Sequence, residues 1–214
     1  MFYSGVMARH LQGSLFDSSE LGLLPLTGMR RTQLSDGAWI DELPGWVTGA
    51  DELFDALVDS VPWKTERWMM YEREVESPRL LAHYGEADPL PHPLLDEARE
   101  TLSRHYAAGL DEPFVTAGLC YYRDGRDSVA WHGDRSNRGD DPDTLVAIAS
   151  LGEARRLLLR PRYGGGPVVR RSIGHGDLLV MGGSCQRTWD HAVPKTAGSV
   201  GPRISVQFRP RWVA

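Results

Sequence analysis

The sequence predicts a mostly β domain flanked by two helices, built as a β-sandwich or a jelly-roll barrel. Three observations carry this. From about residue 111 onward, short apolar runs alternate with glycine-rich turns and no long helix intervenes. Several runs have period two, as in Arg156-Leu157-Leu158-Leu159-Arg160 and Ile204-Ser205-Val206-Gln207-Phe208, the repeat of a strand whose side chains alternate between faces. Upstream, two segments carry apolar residues at helical spacing and would cover one sheet from outside.

Taken in order, residues 21–26 and 37–41 read as short extended pieces. A helix is expected over 48–60, with Leu53, Leu57 and Val58 as its apolar stripe and Pro62 limiting its far end. Residues 63–73 mix aromatic and charged side chains, and 72–76 reads as a polar turn. A strand over 78–85 ends at a glycine. A loop over 86–92 leads to a second helix over 93–109, with Leu94, Leu95, Ala98 and Leu102 on one face. Strands are then expected over 115–122, 129–132, 145–151, 155–160, 168–170, 178–181 and 203–208, while 135–144 has almost no apolar content and reads as a loop.

With 214 residues, 41% of them hydrophobic and 25% charged, the chain can bury one core, and 1–214 is expected to be a single domain. The net charge of −5 excludes a uniformly basic nucleic-acid coat. Residues 160–214 nevertheless carry +7, so an acidic front and a basic back could steer an anionic partner, unless the two mix in space. Two cysteines make no disulfide framework. No apolar run is long enough to span a membrane and no leader is evident, so the expected setting is the cytoplasm.

The first candidate site is His132-Gly133-Asp134. Residues i and i+2 of a strand share a face, so the imidazole and carboxylate can converge on one ion, and His191 could complete a two-histidine, one-carboxylate set. The second is the strand holding Arg203 and Arg209. These share parity with Ser205 and Gln207, giving a polar, basic face suited to a small dianion. The three ligand types alone also suit a zinc hydrolase, in which the paired arginines have no obvious duty.

Residues 118–209 closely resemble the AlkB family of Fe(II)/2-oxoglutarate dioxygenases. The resemblance rests on ordered blocks: Tyr122-Arg123-Asp124-Gly125, Trp131-His132-Gly133-Asp134, Ser150-Leu151-Gly152, residues 176–183, His191-Ala192-Val193-Pro194-Lys195, and residues 202–209. Pro78-Arg79-Leu80 with Tyr84-Gly85 resembles an upstream block. The resemblance implies a double-stranded β-helix, or jelly roll, over 111–214, preceded over 1–110 by an N-terminal extension and nucleotide-recognition region with two helices. It implies iron on His132, Asp134 and His191, the far carboxylate of 2-oxoglutarate on Arg203, support from Arg209, and a cosubstrate contact from Tyr122. Cys120 and Ser205 stand where many relatives have asparagine, so cosubstrate contacts there are lost or replaced. Ser136 stands where several repair members have an acidic residue.

The implied reaction consumes Fe(II)-bound 2-oxoglutarate and O2 and demethylates alkylated bases, such as N1-methyladenine and N3-methylcytosine, in DNA. It releases formaldehyde, succinate and CO2. RNA stays open as a second substrate, and a 2-oxoglutarate-dependent hydroxylase of a protein or small molecule stays open as the alternative. A lesion within a duplex would be flipped out. Tyr84, His83 and Trp68 are the candidates to stack on it, while Arg135, Ser136 and Arg138 border the site. Arg160, Arg162, Arg170 and Arg171 could form a phosphate-facing patch. The protein is expected to act as a monomer without a membrane partner.

Overall fold

A computed structural model describes residues 20–70, 73–109, 112–134 and 143–210. The segment 135–142, with Arg135, Ser136 and Arg138, lies outside the described residues, as does most of the expected loop over 135–144. The elements are β1 Gly22–Leu23, β2 Arg30–Gln33, β3 Ala38–Leu43, β4 Val47–Thr48, α1 Ala50–Ser60, β5 Arg67–Met70, β6 Arg73–Glu76, β7 Leu80–Tyr84 and α2 Pro93–Tyr106. They continue with β8 Thr116–Tyr122, β9 Val129–His132, β10 Val146–Gly152, β11 Arg155–Pro161, β12 Val169–Ile173, β13 Leu178–Gly183, α3 Cys185–Thr188, β14 Trp189–Val193 and β15 Arg203–Arg209.

Seven strands form one antiparallel sheet in the order β2-β3-β13-β10-β15-β8-β7, and four form another in the order β12-β11-β14-β9. Inward residues of both sheets share one core, including Ile40, Cys120, Ile148 and Met181 from the large sheet and Leu157, Leu159, Trp189 and Val193 from the small one. The other face of the large sheet packs Ala149, Val206 and Phe208 against Leu53, Phe54 and Leu57 of α1 and Leu95, Ala98 and Leu102 of α2. The layer order is therefore helices, large sheet, small sheet. This explains why every residue of β8 and β10 is buried. A middle layer has no solvent face.

The expected jelly-roll closure is not seen. The fold is a mixed α/β arrangement of separate antiparallel sheets, and no described strand of one main sheet pairs with a strand of the other. Alternation and turn spacing specify which face of a strand is buried. They do not specify whether edge strands such as β7 and β9 find each other, which decides closure.

Both helices form for the reasons the spacing gives. In α1 the buried Ala50, Leu53, Phe54 and Leu57 make one stripe, and Asp51 and Glu52 sit in the first turn, where the helix dipole favours them. In α2 the His92 ring accepts from the Leu94 N–H (3.1 Å), and Pro93 starts the helix without losing a bond. Two expectations fail locally. Residues 72–76 do not form only a turn: Arg73–Glu76 pairs with Arg67–Met70 as a hairpin, held by backbone pairing and, at its open end, by Arg67 on Glu76 (3.0 Å). The acidic and basic parts of the chain also mix in space, where three ion pairs join them. Arg171 pairs with Glu42 (2.9 Å), Arg209 with Asp134 (2.7 Å) and Arg187 with Asp143.

Candidate metal and keto-acid site

β9 and β14 are neighbours in the small sheet, and His132 stands directly opposite His191. Three steps on β9 then match two on β14, from His132–His191 to Val129–Val193. The resulting bulge bends the edge strand beside the site. The two imidazole centroids are 4.2 Å apart. Asp134, two residues beyond His132, turns its carboxylate to the same place: its Oδ1 is 3.7 Å from His132 Nε2. Ligand atoms of His132, Asp134 and His191 all lie within 4.8 Å of one another, so one ion could touch all three.

The surroundings prepare each group for that role. His132 Nδ1 lies 2.8 Å from the Ala130 carbonyl, which fixes the proton there and leaves Nε2 as the free lone pair. Burial, helped by the neighbouring His132, pushes His191 down to about 3, so its ring is neutral. Burial acts to raise Asp134, but the Arg209 charge and the two histidines outweigh it and hold the carboxyl at about 2. Arg209 donates from Nε (3.0 Å) and Nη2 (2.7 Å) to Asp134 Oδ2. Oδ1 is left to the histidines. The Asp134 N–H donates to Gln186 Oε1 (3.2 Å).

Gly133 is required by what lies behind it. A Cβ there would collide with the guanidinium of Arg162. That guanidinium donates to Asp190 Oδ1 (2.9 Å), to the Arg187 carbonyl (2.8 Å) and to the Gln186 carbonyl (3.3 Å). Arg162 thereby ties the end of β11 to α3 and β14, directly behind Gly133.

The triad lines a cavity of about 360 Å³ between the sheets. Its wall includes Tyr122, Arg203, Ser205, Gln207 and Arg209, so the parity seen in the sequence does turn this face inward. Arg203 is 2% exposed and donates from Nε to Ser150 Oγ (2.9 Å), yet its Nη1 is buried without a partner. A buried, charged N–H without an acceptor is unfavourable unless a ligand supplies one. Tyr122 stands opposite Arg203 in the sheet, and burial pushes its phenol up to about 12, so it remains a hydroxyl. Cys120 and Ser205 are also opposite neighbours, and the Gln207 amide N–H donates to both, at 3.3 Å each.

Other expected substrate groups are distributed differently. His83 lines the cavity and meets Glu66 Oε1 at 2.9 Å. Tyr84 is the next residue on the strand and therefore points the other way, packing against the helix-side core. Of Trp68, only the backbone within β5 is described. Of the four arginines of the expected phosphate-facing patch, Arg162 and Arg171 are engaged as above, Arg160 lies over the Trp131 ring (4.3 Å) and 3.6 Å from Asp190, and Arg170 is exposed. Glu66, Arg79 and Gln186 were not expected at the site. Glu66 and Arg79 line the cavity, and Gln186 orients Asp134. Arg79 lies in the upstream Pro78-Arg79-Leu80 block, which was its one available signal; Glu66 and Gln186 carry none, since each arrives from a different part of the chain.

The sequence profile of the 2OG-Fe(II) oxygenase superfamily matches residues 82–209, which contain every residue of the triad and both arginines. The chain belongs to this superfamily. This oxygenase is 32% identical over 213 residues to the alpha-ketoglutarate-dependent dioxygenase alkB homolog 3 of Homo sapiens, covering 89% of this chain and 69% of that one. It is 28% identical over 182 residues to the DNA oxidative demethylase ALKBH2 of Homo sapiens, covering 75% of this chain and 68% of that one. Among solved structures, OsALKBH1 shares the fold with a TM-score of 0.57 at 13% identity, over 85% of this chain and 100% of that one. The oxygenase is thus related to the AlkB demethylases, and among its described residues no helix is long and apolar enough to cross a membrane.

Proposed function

We propose that this oxygenase demethylates alkylated bases in nucleic acid, with N1-methyladenine and N3-methylcytosine in DNA as its substrates. The observation that carries the reading is one cavity with the two-histidine, one-carboxylate cluster in its wall and the unpartnered Nη1 of a buried arginine beside it. The donor set suits Fe(II), because two imidazoles and one carboxylate leave positions open on an octahedral ion. Arg203 suits the far carboxylate of 2-oxoglutarate, for which its orphaned N–H is a charge-assisted donor.

In this reading His132, Asp134 and His191 hold Fe(II), and Arg203 with Tyr122 seats the keto acid. Arg209 fixes Asp134 from behind, while Cys120 and Ser205 border the cosubstrate. When bound, the iron with its keto acid supplies the oxidising chemistry, and no side-chain nucleophile is needed. The methyl carbon leaves as formaldehyde while 2-oxoglutarate and O2 become succinate and CO2. The protein's own work is to orient and to exclude water. His83 and Glu66, on the solvent-facing side of the cavity, meet the base as it enters.

The test is reconstitution with Fe(II) under anaerobic conditions, followed by 2-oxoglutarate, O2 and a panel of oligonucleotides carrying single methylated bases. Loss of one methyl group, matched by one succinate, supports the reading. Succinate formation driven only by a peptide or small molecule would replace it with the hydroxylase alternative.

A further inference from the structure

We propose that Gln207 is a positioning residue for the metal centre: it locks the Arg209 guanidinium onto Asp134 and so decides which carboxylate oxygen faces the two histidines. The inference rests on the triad reading above and adds a residue to it. Arg209 donates twice to Asp134 Oδ2, and the same Nη2 donates to Gln207 Oε1 at 2.7 Å. The Arg209 and Asp134 side chains are only 14% and 10% exposed, so this pair is largely removed from water and its geometry counts.

The Gln207 amide can sit only one way round. Its oxygen faces Arg209, which has donors and no acceptor. Its nitrogen faces Cys120 Sγ and Ser205 Oγ, each 3.3 Å away. A flip would set amide N–H against guanidinium N–H. Cys120 and Ser205 thus act on Asp134 at a distance, through Gln207 and then Arg209. Gly118, paired with Gln207 across β8 and β15, leaves the space this needs. A Cβ at Gly118 would stand 3.1 Å from Arg209 Nη1 and 3.9 Å from Gln207 Oε1. The guanidinium is therefore held from one side by an amide and admitted on the other by a missing side chain. Outer contacts of this kind change metal affinity by about 10- to 100-fold when removed.

The experiment is anaerobic titration of the full chain with Co(II), without keto acid or nucleic acid, read by the cobalt d–d absorption. Gln207→Met removes the acceptor while keeping the length. It should bind Co(II) about tenfold more weakly or worse, with a shifted band. Gln207→Glu keeps an oxygen toward Arg209 and should return to within about threefold of the unsubstituted protein, a rescue that simple packing would not give. A folded Gln207→Met protein with unchanged affinity and band overturns the proposal, as does a Gln207→Glu protein as weak as Gln207→Met. Should Gln207→Met not fold, Gln207→Asn provides the test: it keeps the amide but falls one methylene short of Arg209, so unchanged Co(II) affinity there overturns the proposal equally. If the unsubstituted protein itself takes up no Co(II), the triad reading falls and takes this inference with it.

Discussion

Replacing Arg203 by methionine should make the protein more stable and its keto-acid binding much worse. Arg203 is a buried cation whose Nη1 has no partner, and its guanidinium carbon lies 5.3 Å from the Tyr122 ring while that of Arg155 lies 5.5 Å from the same ring. The folded protein therefore bears an unsatisfied buried N–H, costing about 1–3 kcal/mol, and two guanidinium groups that repel each other across one ring. Methionine fills similar volume without either burden, although it also gives up the Nε bond to Ser150 Oγ, about 1 kcal/mol. The net change expected is a gain of about 1 kcal/mol. Binding moves the other way. A charge-assisted contact to a carboxylate in a dry site contributes about 3 kcal/mol, and at 1.4 kcal/mol per tenfold its loss weakens 2-oxoglutarate about a hundredfold. Urea unfolding of the metal-free protein reads the first quantity. Calorimetric titration of the Mn(II)-loaded, oxygen-free protein with 2-oxoglutarate reads the second. A variant destabilised by several kcal/mol that still binds 2-oxoglutarate normally would refute the reasoning, because Arg203 would then be a structural residue.

Other expectations follow from the same contacts. Gly133→Ala should drive a Cβ into the Arg162 guanidinium, pull Asp134 away from the histidines and lower Co(II) affinity at least about tenfold, measured by the same cobalt titration; unchanged affinity would show that the turn has room. Leu102→Ala, at a fully buried position of α2, should cost about 2–5 kcal/mol in urea unfolding while leaving the 2-oxoglutarate affinity of the folded fraction unchanged, since it faces the helix side of the large sheet. The Tyr122 phenol is raised above its unfolded value, chiefly by burial, so its contribution to stability is intact below pH 10 and is lost as the pH rises toward about 12. Unfolding curves at pH 9 and 11 should show the decline, and Tyr122→Phe should reduce it.

Much of this architecture was legible because a burial pattern is written locally. The stripes of α1 and α2 and the alternation in β11 and β15 appear in the sequence as they do in the fold. β14 has no clear signature in the sequence although Trp189, His191 and Val193 alternate inward, because a buried histidine does not register as apolar. The β5–β6 hairpin is hidden for a related reason: Arg73–Glu76 is highly charged, and backbone pairing rather than hydrophobicity makes it a strand. Tyr84 shows the limit of choosing residues by chemistry alone, since one step along β7 separates the cavity from the helix layer.

By itself the sequence determined the periodicities, the triad's residue types, the shared parity of Arg203 and Arg209 and the family resemblance. All of these depend on neighbours within a few positions or on ordered motifs. Only the tertiary structure decided that the sheets stay separate, that His191 lands opposite His132, that Arg209 serves Asp134, that Gln207 accepts from Arg209, and that Gln186 joins the site. Those outcomes hinge on which strands hydrogen-bond and in what register. Pairing energy is summed across distant segments, so no local stretch of chain records it.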